Sequence, residues 1–287
     1  MPTTLSFSWT ADPALLWVLS AAALYWLGGR RVAARARSAA RRWRTAAFVA
    51  GLATIVLAVG SPLDGWADQL QWAHMLQHVL LLLVAPPLLA LARPWNRMWR
   101  GFPLSLRRRV AHAVTQGRGS GALRRTARFL GDPLPSWLLF SLTLLAWHLP
   151  FAYDATLRLP AAHALEHGLF FGTGLLFWTR VIDSPPWRSP LAETARAVYV
   201  ASALVVSWML AVVLALATSP LYAPYAAEAS RPGGITALAD QQLAAGVMWV
   251  PGSIPFTIAI LFVAYRWLEP KRPHRPAPDT QPLAGNP

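Results

Sequence analysis

No cysteine occurs anywhere in the 287 residues. That absence removes disulfides, thiolate metal sites, iron–sulfur clusters and thiol nucleophiles together, and leaves imidazole, thioether and carboxylate as the available metal ligands. Any metal site in this chain is therefore built on histidine. Charge is also scarce: 13% of the residues are charged and 55% hydrophobic, where a soluble domain carries roughly a quarter charged residues. The chain belongs in a bilayer. Acidic residues number 12 against 26 basic ones, and only one of the basic residues is lysine. The resulting net charge of +14 would suit a nucleic-acid binder only with a basic face on a folded domain. Here the arginines fall between apolar runs, so we exclude nucleic acid and read the charge as a membrane orientation signal.

A transmembrane helix needs about 20 largely apolar residues. Seven runs near that length are bounded by charge, proline or glycine, at 13–29, 45–61, 71–92, 134–151, 163–182, 197–218 and 241–267. The sequence thus predicts an all-α integral membrane protein, a seven-helix transmembrane domain over residues 1–269 with a disordered cytoplasmic tail at 270–287. The first run is expected to be a true span, because Met1 to Asp12 has no basic region and no small-residue cleavage site follows Arg30. Arg30, Arg31, Arg35, Arg37, Arg41, Arg42 and Arg44 crowd the first connection and ten more arginines the segment 93–131, which places both on the cytoplasmic side. The N-terminus is then outside and the tail, with Lys271, Arg272 and Arg275, inside; only Arg158 and Arg231 fall outside. In 93–131, Trp95, Trp99 and Phe102 interleave with arginines, so an amphipathic helix on the inner surface is one reading and a plain topology signal the other.

Of seven histidines, His112 and His274 are cytoplasmic in this topology. His74, His78, His148, His163 and His167 come from three spans, and each lies at the outer end of its own. His74/His78 and His163/His167 are i, i+4 pairs, about 6 Å apart along the axis on one face, a spacing at which two imidazoles can share one ion. A single interfacial histidine is ordinarily satisfied by water; five at one depth, inside spans where ionisable groups are costly, mark a functional site. Convergence requires spans three, four and five to pack together, with a short hairpin at 152–162 as one connection. Met75 shares the face of His74 and His78, while Glu166 adjoins His167 and can orient an imidazole or bind directly. Asp240, Met248, Asp64 and Asp68 are further candidates, each with an ordinary alternative as helix cap, interfacial carboxylate or lipid-facing methionine. Gly168, Gly172 and Gly174 would allow close helix approach, and Pro251 and Pro255 should bend the last span. Histidine and methionine without thiolate, facing an oxidising compartment, point to copper first and zinc second.

HMLQH (His74–His78), WHLPFAYDATL (Trp147–Leu157), HALEH (His163–His167) and DQQLAAGVMW (Asp240–Trp249) resemble the signature stretches of the multi-span CtaG family of cytochrome c oxidase assembly factors, distinct from a single-span periplasmic copper protein of the same name. The resemblance covers about residues 50–268. It implies a metallochaperone-like, non-enzymatic protein of the bacterial cytoplasmic membrane, handling copper at the periplasmic face for the respiratory chain. Its implied partners are haem–copper oxidase subunits and a periplasmic copper donor, and His74, His78, His148, His163, His167, Glu166 and Asp240 are the positions carried over. The competing reading is a membrane-embedded zinc hydrolase, since HALEH also fits H-x-x-E-H with Glu166 as general base. A bis-histidine haem protein and a transporter fit less well, because i, i+4 pairs suit a small ion and no polar trail descends the spans.

Overall fold

The computed structural model describes residues 7–31, 39–117, 120–228 and 230–269. The predicted disordered tail at 270–287, with Lys271, Arg272, His274 and Arg275, lies outside these residues, as do Arg35 and Arg37. Among the described residues every regular element is helical, and no strand occurs. Four helices are long and apolar enough to cross a membrane, within Arg42–Val59 and over Gln71–Ala92, Glu193–Leu216 and Ala237–Leu268. A fifth span results if Ser120–Gly131 and Pro133–Trp147, bent by 74° at their junction, count as one.

Each of the seven apolar runs is a helix. They are α1 (Ala14–Arg30), α2 (Ala39–Val59), α4 (Gln71–Ala92), α8 (Pro133–Trp147), α10 (Pro160–Val181), α11 (Glu193–Leu216) and α13 (Ala237–Leu268). Three miss the apolar length criterion on their own, for physical reasons. The α1 helix has 17 residues, α8 has 15 and qualifies only together with α7, and α10, at 22 residues, carries His163, Glu166, His167 and Arg180. Between the long helices lie α3 (Pro62–Ala67), α5 (Trp95–Gly101), α6 (Leu104–Gln116), α7 (Ser120–Gly131), α9 (Pro150–Arg158) and α12 (Ala223–Ala227).

Three expectations need correction. The second run, expected over 45–61, ends as α2 at Val59, and Asp64 beyond it rides a separate helix, α3, which starts afresh with the Ser61 hydroxyl accepting from the Leu63 N–H and Pro62 in the first turn. The segment after His148 is not a simple hairpin but the helix α9, which restarts at Pro150 because the residue before a proline is pushed out of helical conformation. Two of the three span-five glycines are not at helix contacts. A Cβ at Gly174 would lie 2.7 Å from the Leu82 carbonyl oxygen, but at Gly168 or Gly172 it would meet nothing within 4 Å.

The bundle is built around α4, of which 67% is buried against 44% or less for the other three spans. Its N-terminal half packs on α13, its C-terminal half on α2 and α10; α10 also packs on α8, α11 on α13, and α1 on α5. Midway, α4 widens into a π turn at Leu80–Val84. Pro86 explains it: it has no N–H for the Leu82 carbonyl four residues back, and its ring would collide with that carbonyl. The freed Leu82 oxygen accepts instead from Trp178 Nε1 at 3.2 Å, and Gly174 makes room for it. This cross-link fixes α10 against α4, the two helices that carry four of the five outer histidines. The segment 93–131 holds α5 to α7 on the basic side. Arg97 of α5 lies 3.9 Å over the Tyr25 ring, while α7 exposes Leu123 and Phe129 beside Arg124, Arg125 and Arg128.

Gly174→Ala forces the added methyl into the Leu82 backbone, and overpacking of this kind costs about 1–3 kcal/mol. We expect a lower thermal midpoint in detergent, read by tryptophan fluorescence, with Gly172→Ala as the unaffected control.

Candidate metal centre

The five outer histidines converge at one end of the bundle. His74 and His78 occupy the first two turns of α4, His148 follows the last residue of α8, and His163 and His167 occupy the first two turns of α10. The His74 ring lies 4.6 Å from that of His78 and 5.0 Å from that of His163; His163 and His167 lie 4.1 Å apart, and His78 and His148 5.7 Å apart, all between centroids. His74, His163, Glu166 and His167 form the tightest group, one ligand atom from each lying within 4.8 Å of all the others. A tetrahedral ion with bonds of 2.0–2.1 Å needs ligand atoms roughly 3.4 Å apart, so binding one ion would require this group to contract.

Glu166 sits between the two helices with no exposed surface. Its Oε2 lies 3.1 Å from His74 Nε2 and its Oε1 3.3 Å from His78 Nε2. The proton positions at His74 follow from its other side. Tyr225 donates its hydroxyl proton to the Ala67 carbonyl, so its oxygen accepts from His74 Nδ1–H at 3.2 Å. With Nδ1 protonated, the neutral ring turns a lone pair toward the Glu166 carboxylate. Two acceptors 3.1 Å apart require a cation between them, either a proton or a metal ion. His148 is oriented in the same manner, its Nδ1–H donating to the Leu144 carbonyl at 2.7 Å and leaving Nε2 as the open nitrogen.

Several of these atoms are unpaired. His148 Nε2, His163 Nε2, His167 Nε2, both ring nitrogens of His78 and Glu166 Oε1 are buried without a hydrogen-bond partner among the described residues. Leaving a buried polar atom unsatisfied costs about 1–3 kcal/mol each, so a concentration of six is costly unless something is bound there. A borderline or soft cation answers the chemistry of this donor set: imidazole nitrogens with open lone pairs and one carboxylate.

Other candidates have different roles. Asp240 reaches from α13 to the start of α4, where its carboxylate accepts from the Gln71 N–H at 2.8 Å and the Trp72 N–H at 3.1 Å. It caps the helix that carries His74 and His78, with Arg231 Nε 3.9 Å away, and is not part of the four-residue group. Asp64 accepts from Gln77 Nε2 at 3.0 Å. Met75 and Met248 are buried in the apolar core. His112 lies exposed on α6, away from the cluster.

Sequence reasoning missed the tyrosines. Tyr153 of α9 is fully buried 4.9 Å from the His74 ring, Tyr222 stacks on it at 3.8 Å and donates to the His148 carbonyl, and Tyr225 holds His74. Burial pushes all three phenols further above their usual range, so they act as neutral hydrogen-bonding groups. The available signal was weak: phenols in the outer loops, two of them flanking Pro224 in LYAPY.

Residues 23–270 match the family described as cytochrome c oxidase caa3 assembly factor (Caa3_CtaG). The chain belongs to this family. Curated relatives of this chain are uncharacterized proteins of Mycobacterium bovis and Mycobacterium tuberculosis, each 23% identical over 237 residues, which is 80% of this chain and 34% of the relative. One from Mycobacterium leprae is 22% identical over 254 residues, 85% of this chain and 37% of the relative. The chain spans about a third of the length of these relatives. No solved structure matches it significantly.

Asp240→Ala should remove the cap from α4 and lower stability by about 0.5–2 kcal/mol, whereas Asp240→Asn, which retains an acceptor, should lose less. Thermal unfolding of the two variants checks this order.

Proposed function

We propose that this assembly factor is a stationary, non-catalytic copper site that takes the ion from a donor in the outer compartment and passes it to a haem–copper oxidase subunit. The observation that carries the proposal is the largely buried group His74–His163–Glu166–His167, ringed by imidazole nitrogens that have no other partner among the described residues. His74, His163 and His167 are the proposed nitrogen ligands, with Glu166 as the anionic partner offsetting the cation's charge. His78 and His148 stand beside them as reserve ligands for the exchange. Family membership supports the oxidase as the destination. Histidine ligation without thiolate supports copper ahead of zinc.

We further propose that all seven long helices span the bacterial cytoplasmic membrane, N-terminus outside and C-terminus inside. The arginines of 30–44 and 93–131 then face the cytoplasm, as positive charge in short connections does, and the histidine end of the bundle faces the periplasm. In α1, α8 and α10 the shortfall in apolar length is made up by neighbours, α5 for α1, α7 for α8 and the buried site for α10.

The zinc-hydrolase reading has less behind it. A general base must reach a water, and Glu166 has no exposed surface, its two oxygens lying 3.1 and 3.3 Å from His74 Nε2 and His78 Nε2.

Elemental analysis of the detergent-purified chain after copper loading and desalting tests the proposal. We expect about one equivalent of copper, reduced at least tenfold in affinity by His163→Ala or Glu166→Gln, and loss of oxidase maturation in cells carrying either variant. Zinc retained in preference to copper, with hydrolysis of a lipid or peptide dependent on Glu166, would favour the hydrolase instead.

A further inference from the structure

The four-residue group is closed on most sides. His74 and Glu166 have no exposed surface, and Tyr153, Tyr222 and Tyr225 cover the group from the outer loops. One side differs. A cavity of about 1130 Å³ lies between α1, α2, α4 and α10, and His163 and His167 both line its wall. Its outer part carries Asp12, Asp64 and Asp68, while its deeper part is apolar, lined by side chains such as Phe48, Leu52 and Leu89.

Two independent features mark the wall beside the site as functional space. His167 is only 8% exposed, and its Nε2 has no hydrogen-bond partner among the described residues. Gly168 follows it on the same wall, and a Cβ there would meet nothing within 4 Å. Glycine is the poorest helix former after proline, and no neighbouring helix requires the room that this one leaves.

We propose that this lateral cavity is the route by which a metal cation reaches the histidine group, drawn in by Asp12, Asp64 and Asp68 and met first by His163. The inference rests on the metal-site reading above. His163 is the half-buried member of an otherwise buried group, so it presents the first open imidazole to an arriving ion. The carboxylates are held at the mouth: Asp12 accepts from the Ala14 N–H and Asp64 from Gln77 Nε2. Burial and the neighbouring Asp64 carboxylate push Asp68 up from its ordinary value, a repulsion that a cation between them relieves. Arg158, also at the mouth, has its charge paired with Asp154 at 3.7 Å.

The size and polarity of the space fit this use. An ion with six waters at about 30 Å³ each fills roughly 180 Å³ and passes freely. The apolar lower part offers a cation no ligands, so the route opens on the outer end only and the site remains a terminus, not a channel.

The test uses the full chain in detergent and Cu(I) supplied as a coloured chelate, whose loss of absorbance gives the loading rate; metal analysis then gives the final equivalents. Asp12→Asn/Asp64→Asn/Asp68→Asn retains the acceptor atoms but removes the charge. It should load at least tenfold more slowly at low ionic strength, with the difference shrinking as salt rises and the final equivalents unchanged. Gly168→Phe, filling the space beside His167, should load slowly at every salt concentration. If Gly168→Phe fails to fold, the triple variant's rate alone decides. Wild-type rates in the variants would overturn the route while leaving the metal site standing; no uptake by the wild type would overturn both.

Discussion

Burying a carboxylate in the apolar body of a helical bundle is costly unless it is paired and hydrogen-bonded, and Glu166 is buried completely. Its two oxygens reach His74 and His78 on α4 from a position on α10. That three-residue bridge ties together the two helices supplying most of the site, and it fixes which nitrogens point inward. His163 and His167 flank Glu166 on its own helix and so face the same point. The site is thus organised around one charge that cannot be left unpaired.

The remaining architecture holds that bridge in register. Asp240 anchors the outer end of α4 through two backbone N–H groups, and Trp178 with Gly174 anchors its middle at the carbonyl released by Pro86. Tyr225 and the Leu144 carbonyl fix the rings of His74 and His148 from behind, a second layer that sets tautomers. Preorganisation of this kind lowers the cost of gathering ligands around an ion. It also implies that residues distant from the histidine group, such as Gly174, affect the site through helix placement.

Much of this was legible in the sequence, because membrane helices advertise themselves by composition and histidine pairs by spacing. All seven apolar runs became helices, and HMLQH and HALEH did bring their histidines onto facing surfaces. What was not legible depends on contacts between distant segments. Asp240 reads equally as a ligand or a cap until the start of α4 is placed against it. Gly168 and Gly174 look alike in sequence, yet one borders a cavity and the other a carbonyl. The tyrosines come from short helices, α9 and the start of α12, whose apolar runs are too brief to signal a role. By apolar length and composition alone α10 does not qualify as a span, since part of its length carries the polar site.

X-ray absorption spectroscopy of the copper-loaded chain is the most direct test of the central claim that this histidine–glutamate group is a metal site. The account predicts a first shell of nitrogen and oxygen near 2.0 Å, with the outer-shell scattering pattern of imidazole rings, lost in a His74→Ala/His163→Ala variant. A shell dominated by sulfur, or an imidazole pattern that survives that variant, would contradict it.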